Sequence, residues 1–359
     1  MHHMKRLAAV LAFLLSLSTS LVAEPIKLGL ILPFTGPHAQ TAEAMQNAAL
    51  LAIKDLGAEA EDKIQIVFED DGLKANLALS AFGKLTSVNK VAGVLVFGGQ
   101  SVAAVAPLAA VKKVTVIAFT ADSGLVQGKP CVFQHWLSSK EQSAAVFQAL
   151  GSGGNVPARI ALVSTTHNAA LQIQQDFESM SRERGLAVVY KQDVLPSETD
   201  FRTIIMQIKA QRPDAILSVL VAPHMSLFMR QLRDSKYDIP VYSSVNAEIM
   251  DEVTAAKGAM EGVKYAGPDL SDAFIASYQE NYQRYPEFAA PHVYDSVRFM
   301  AEAILSGATS GEAINQRLLS RKEFEGAMGR YGIEQGFRFN VRAVPKEIRN
   351  GAFVKSEGN

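Results

Sequence analysis

The sequence predicts an α/β fold in two lobes, each a mostly parallel sheet covered by helices. Short apolar runs alternate with amphipathic stretches along most of the chain. The runs are nearly continuous in apolar residues, the pattern of strands buried on both faces. The series also occurs twice, in a chain too long for one core.

The elements follow in order. The first run, 26–32, is closed by Pro33, with Gly36 and Pro37 in the turn. Ala44, Ala48, Leu51 and Ala52 recur at helical spacing and predict a helix over 41–56. A strand over 64–68 ends at Glu69-Asp70-Asp71-Gly72, and a helix over 76–88 leads to a strand over 91–97, closed by Gly98-Gly99. A helix over 103–111 and a strand over 115–119 complete the first series. After His135-Trp136 come a helix over 141–150, a loop rich in Gly and Pro, and strands over 159–163, 187–191, 215–220 and 241–243. Helices over 169–184, 201–211 and 225–234 separate these strands. The last third reads as helices over 269–285, 291–305 and 311–321, a final strand over 337–343, and a polar tail from Lys346 that is expected to fray. The two series show no repeat at the level of residues.

The N-terminus predicts export. Lys5-Arg6, a charge-free stretch over 7–22 and Ala23 have the layout of a secretory signal, with cleavage expected after Ala23. Ser16, Ser18, Thr19 and Ser20 interrupt the apolar stretch and no stop-transfer charge cluster follows, which disfavours a retained anchor. Composition is 48% hydrophobic and 20% charged, with a formal net charge of -1. That balance carries no footprint for nucleic acid. A single cysteine, Cys131, excludes an internal disulfide and reads as a core or semi-buried thiol rather than a nucleophile.

Ligands of helix-covered parallel sheets bind where strands end. Gly98-Gly99-Gln100-Ser101 allows close backbone approach and free N–H groups at a helix start, suited to an anion or carboxylate; the alternative is a plain strand-to-helix turn capped by Ser101. Thr120 and Asp122 end the next strand. Asp122 is placed either to pair with a ligand ammonium or to cap the turn before Gly124. Ser164 to Asn168 ends a strand of the second series, where His167 is a pocket residue or a solvent-facing one. His224 is a weaker candidate of the same kind. Trp136 reads as a packing anchor where the chain leaves the first lobe. Glu69-Asp70-Asp71 reads as a turn, since three adjacent acids do not all face one ion. No dinucleotide fingerprint, P-loop, nucleophile elbow or metal spacing appears, so neither cofactor nor metal is expected, and the chain is not read as an enzyme.

Together these pieces resemble the branched-chain amino-acid class of ABC-transporter substrate-binding proteins, on the type I periplasmic binding fold. The resemblance runs the length of the mature chain. It rests on Ile26-Lys27-Leu28-Gly29 with Pro33 and Gly36, Gly98-Gly99 followed by Ala106-Pro107 and Val116-Ile117, Asp200-Phe201 with Ile204-Ile205, Pro213-Asp214-Ala215, Met229-Arg230-Gln231-Leu232, and Tyr294-Asp295-Ser296-Val297. It implies a signal peptide over 1–23, a first lobe of 24–139 plus 267–339, and a second of 140–266 plus 340–359. Three hinge crossovers fall near Ser139, Gly267 and Phe339. It also implies a periplasmic monomer that encloses a small molecule and docks on permease subunits in the inner membrane.

Ligand residues carried over from the resemblance fall at Gly99, Gln100, Ser101, Thr120 and Asp122 in the first lobe, and at His167, Asn168, Ala222 and Asn246 in the second. The chain departs from the leucine/isoleucine/valine pattern here. Gly99 stands in place of a Ser and Asp122 in place of a Thr. No tyrosine or ammonium-binding Glu falls squarely in place, although Glu248 is close, and the family's disulfide positions match Leu73 and Gly98. The expected ligand is an amino acid or small carboxylate. Amide, urea or aromatic-acid binding, and a sensing or interaction role without transport, are the alternatives.

Overall fold

The computed structural model describes residues 24–151, 156–334 and 336–356; the expected signal peptide lies outside them. Ten strands form in chain order before the helical third: β1 (Ile26–Leu32), β2 (Ile64–Asp70), β3 (Gly93–Phe97), β4 (Thr115–Phe119), β5 (Val132–Gln134), β6 (Arg159–Thr165), β7 (Ala187–Val194), β8 (Ala215–Val219), β9 (Val241–Ser243) and β10 (Lys264–Pro268). After the helices come β11 (Phe324–Gly326), β12 (Gly329–Tyr331), β13 (Ile333–Glu334), β14 (Arg338–Phe339), β15 (Ala343–Arg349) and β16 (Ala352–Lys355).

Two seven-stranded sheets result. The first has the order β13-β14-β5-β4-β3-β1-β2 and the second β16-β15-β10-β9-β8-β6-β7. Strands β1 to β5 and β6 to β10 are parallel within their own sheets and arranged alike. The architecture therefore repeats although the residues do not.

Strands β3 and β4 are buried along their whole length. Their alternate residues feed two cores: Leu95, Phe97, Ile117 and Phe119 on one face, and Val94, Val96, Val116 and Ala118 on the other. The second sheet is covered likewise, with Ala161, Val163 and Ile216 on one face and Ile160, Leu162 and Leu217 on the other. The period-two pleat thus explains why these runs lack polar positions. Cys131 is half-buried, and burial holds its thiol above the ordinary value.

The chain passes between the sheets three times. It crosses after β5 into the helix Ser139–Gly151, after β10 into the helix Asp272–Tyr282, and from β14 to β15. The helix Ala290–Leu305 returns to the first lobe against the helix Ala39–Asp55, where Tyr294 Oη bonds Asp55 Oδ2 at 2.7 Å. Buried Asp295 accepts from Ala327 N at 2.6 Å and from Tyr331 Oη at 2.5 Å, tying that helix to the β11–β12 hairpin. Burial pushes the Asp295 carboxyl up to about 6 against those donors. Among the described residues, no helix is long and apolar enough to cross a membrane.

The C-terminal expectations need correction. The strand expected over 337–343 is two strands, β14 in the first sheet and the start of β15 in the second. The tail from Lys346 does not fray, because β15 and β16 form a hairpin closing the second sheet. Asn350 and Gly351 turn it, with φ of 53° and 70°, the two left-handed residues that a tight hairpin turn requires. That Asn-Gly pair was the available signal, and the charged residues around it masked it.

Candidate functional site

The loops after β1, β3 and β4 face those after β6, β8 and β9 across a cavity of about 250 Å³. The volume lies just under the usual small-molecule range of roughly 300–1,000 Å³. The first lobe supplies Leu73, Gly98, Gly99, Gln100 and the turn Phe119–Ala121; the second supplies His167, Val221, Ala222, Val245 and Asn246.

The turn after β3 depends on glycine. Gly98 has φ 93° and ψ 136°, a conformation essentially confined to glycine. A Cβ there would also overlap Leu73 Cδ2, so these two residues lie face to face and the leucine fills the space. Gly99 differs, since an added Cβ would meet only Thr120 Oγ1 at 3.7 Å and Leu125 Cδ1 at 3.9 Å. A side chain would fit, and its absence widens the cavity.

One end of the cavity is aromatic. Trp136 is 7% exposed and lines it, with ring centroids 5.7 Å from Phe97, 5.7 Å from Phe288 and 6.2 Å from Phe119. It is thus both a packing anchor and part of the wall. Its ring lies 4.6 Å from His292, which abuts buried His135. Burial holds His292 down to about 3 and lowers His135, whose Nδ1 is 2.6 Å from Ser296 Oγ. These two buried, neutral histidines back Trp136 from outside the cavity lining.

Of the residues expected at the site, Gly99, Gln100, Thr120, His167, Ala222 and Asn246 line the cavity. Ser101, Asp122 and Asn168 do not. The helix begins at Gly99 rather than near 103, so Ser101 falls within its first turn, buried, and donates to Asp71. Asp71 also accepts from Leu73 N at 3.0 Å, and neighbouring Asp70 holds Thr35 Oγ1 at 2.7 Å. Asp70 and Asp71 therefore anchor loops, while Glu69 pairs with Lys84 at 2.6 Å. Asp122 Oδ1 accepts from Gly124 N at 2.9 Å and caps the turn Ser123–Leu125, so the capping alternative describes it. Asn168 opens the helix Asn168–Glu183 at an exposed position. His224 is buried beside Phe201, with ring centroids 5.9 Å apart. Glu248 is fully buried and pairs with Lys346 at 2.7 Å, outside the cavity lining.

No Asp, Glu, Lys or Arg is among the lining residues described. Gln142 is bonded at both ends of its amide, donating to Leu137 O at 3.1 Å and accepting from Val245 N at 3.3 Å. Thr120 accepts from Asp122 N at 3.2 Å and, through its carbonyl, from Gln134 Nε2 at 2.6 Å. His38, which also lines the cavity, went unrecognised in the sequence because the turn after β1 was read only as far as Pro37. His38 is half-buried, and His167 lines the cavity while remaining exposed to solvent at its rim; desolvation lowers both from the ordinary histidine value, and a proton on His167 would lower His38 further. Both imidazoles are therefore neutral near pH 7. The arrangement offers aromatic surface, neutral donors and acceptors, and no ionised group.

A family model described as periplasmic binding protein matches residues 25–344. The Leu/Ile/Val-binding protein homolog 7 of Brucella abortus (strain 2308) is 21% identical over 366 residues, covering 94% of this chain and 90% of that protein. The branched-chain amino acid transporter substrate-binding protein of Streptococcus pneumoniae, solved with isoleucine, superposes with a TM-score of 0.82 at 22% identity, over 92% of this chain and 98% of that one. A solute-binding protein of an ABC transporter from R. palustris, solved with benzoate, superposes with a TM-score of 0.81 at 17% identity, over 92% and 95%. At these identities the superpositions speak to the fold.

Proposed function

The chain belongs to the periplasmic binding protein family, and from that premise we propose that it is the solute-binding subunit of an ABC importer, taking a small, mainly apolar carboxylate between its lobes. On this reading it delivers that ligand to permease subunits in the inner membrane, and the secretory layout of residues 1–23 supports a periplasmic location for the mature chain. The observation that carries the ligand class is the lining, with aromatic rings at one end and no ionised side chain. An amino acid brings an ammonium as well as a carboxylate. Enclosing that ammonium opposite no carboxylate costs several kcal/mol as an order of magnitude. Both acids that could have met it are engaged elsewhere, Asp122 with Gly124 N and Glu248 with Lys346. A carboxylate, by contrast, finds neutral N–H donors on His38, Gln100, His167 and Asn246. This favours an aromatic or branched aliphatic acid over the amino acid also expected from the sequence. The benzoate complex from R. palustris shows the same fold accommodating such a ligand. Donors and apolar surface without an acid–base pair suit binding rather than catalysis.

The test is a thermal-shift screen of the mature protein with benzoate, 4-hydroxybenzoate, 3-methylbutanoate, benzamide, urea and isoleucine. The monocarboxylates are expected to raise the melting temperature, since a ligand at a hundred times its Kd adds about 2.7 kcal/mol. A shift with isoleucine and none with any monocarboxylate would overturn the ligand class.

A further inference from the structure

We infer that His38 and His167 form a two-lobe imidazole clamp for the acidic group of the ligand, at the end of the cleft opposite Trp136. The inference rests on the carboxylate reading above and assigns the residues that read the carboxylate.

The sheet order separates the two ends. Trp136 follows β5, whereas His38 follows β1, three strands away in the order β5-β4-β3-β1. At about 4.8 Å per strand that is roughly 14 Å. His167 follows β6, which holds the same place in the second sheet as β1 does in the first. The matching strand orders therefore bring one imidazole from each lobe to the outer end of one cavity, and both rings line it.

Neither ring is used by the protein. Among the described residues, no hydrogen bond or ring contact engages the imidazole of His38 or His167, whereas Gln142 and Thr120 in the same wall are already bonded. No carboxylate lines the cavity beside them. Each neutral imidazole keeps one N–H to donate. An anionic oxygen between the rings accepts from both, and the bonds strengthen if either ring takes up a proton. Because the rings belong to different lobes, both bonds form only when the cleft is shut. Recognition of the acidic group is thereby linked to closure.

Trp136 is the single tryptophan of the chain and lies in the cavity wall, so its fluorescence reads occupancy directly. We would titrate wild type, His38→Ala, His167→Ala and His167→Gln with benzoate, with 3-methylbutanoate, and with benzyl alcohol, which lacks the acidic group. Each alanine variant is expected to weaken carboxylate binding by about tenfold or more, the scale of a hydrogen bond to a charged group. Benzyl alcohol affinity stays within about twofold, and His167→Gln, which keeps an N–H donor, recovers part of the loss. If wild type binds a carboxylate and both alanine variants bind it equally well, the clamp is overturned and the ligand class stands. Equal losses for benzyl alcohol mean a collapsed cavity and also overturn it. If wild type binds neither carboxylate, the clamp and the ligand class fall together.

Discussion

Lys346 and Glu248 illustrate what a single pair of side chains decides. Their side chains are 3% and 0% exposed, and they meet at 2.7 Å. The ammonium lies 5.8 Å from the ring centroids of both Tyr265 and Tyr285 and donates to Tyr285 Oη at 3.4 Å. A buried charge stripped of its counter-ion is costly, whereas exchanging the whole pair for apolar groups is often tolerated. Lys346→Met should therefore destabilise the protein by about 3–5 kcal/mol in urea unfolding. Adding Glu248→Leu to it should restore most of that stability. A single-variant loss below about 1 kcal/mol would mean that Glu248 finds water or a proton at little cost. In the sequence Lys346 looked like the start of a solvated tail, and Glu248 like a candidate for the ligand ammonium. Each is bound by the other, 98 residues apart, and no local pattern carries that information.

At the scale of elements, the segment between the helices Asp272–Tyr282 and Ala290–Leu305 joins the lobes. It belongs to the helical run that packs on the first lobe, yet it reaches the second. Arg284 lies 3.8 Å from Glu43 on one side and 3.7 Å from Asp251 on the other. Tyr285 packs on Phe353 with centroids 5.1 Å apart, and Met250 N donates to Glu287 Oε1 at 3.4 Å. Next to these, Phe288 lines the cavity. Glu287 is 4% exposed, and burial pushes its carboxyl up to about 7, with the Met250 N–H opposing and Asp251, Arg284 and Glu248 acting at longer range. The folded chain thus keeps a proton that the unfolded chain releases above its ordinary value. The contribution is full below about 4.5 and is lost as pH rises through about 7. Wild type should therefore lose stability relative to Glu287→Gln between pH 5 and pH 8, read as urea midpoints of the two proteins. A gap that stays constant over that range would show Glu287 ionised throughout. The segment's helical flanks were legible from spacing, but its bridging role depends on the second lobe lying across from it.

For the whole molecule, two sheets of like order face each other across one cleft, joined by three crossovers. The cavity has walls from both lobes and exists only while they are together. If benzoate or 3-methylbutanoate binds as proposed, small-angle scattering should show a smaller radius of gyration with ligand than without, approaching the roughly 20 Å of a compact chain this long. Identical curves would place binding and closure in separate steps.

Local patterns in the chain specify the α/β class, the order of nearly all strands and helices, and the glycine turn after β3. These follow from contacts within a few residues, namely apolar period, turn chemistry and the φ that only glycine reaches easily. The sequence also places Gly99, Gln100, Thr120 and His167 at strand ends that line the cavity, because loops after parallel strands face a cleft wherever such sheets oppose each other, whereas Ala222 and Asn246 come only from the family resemblance. Which polar groups remain free there is set only when distant segments meet. Ser101 is taken by Asp71, Asp122 by Gly124 N and Glu248 by Lys346, while His38 and His167, 129 positions apart by their numbering, are left open on the same cavity. The physical reason is that buried polar groups must be paired, and which partner reaches each one first depends on how distant strands are brought together.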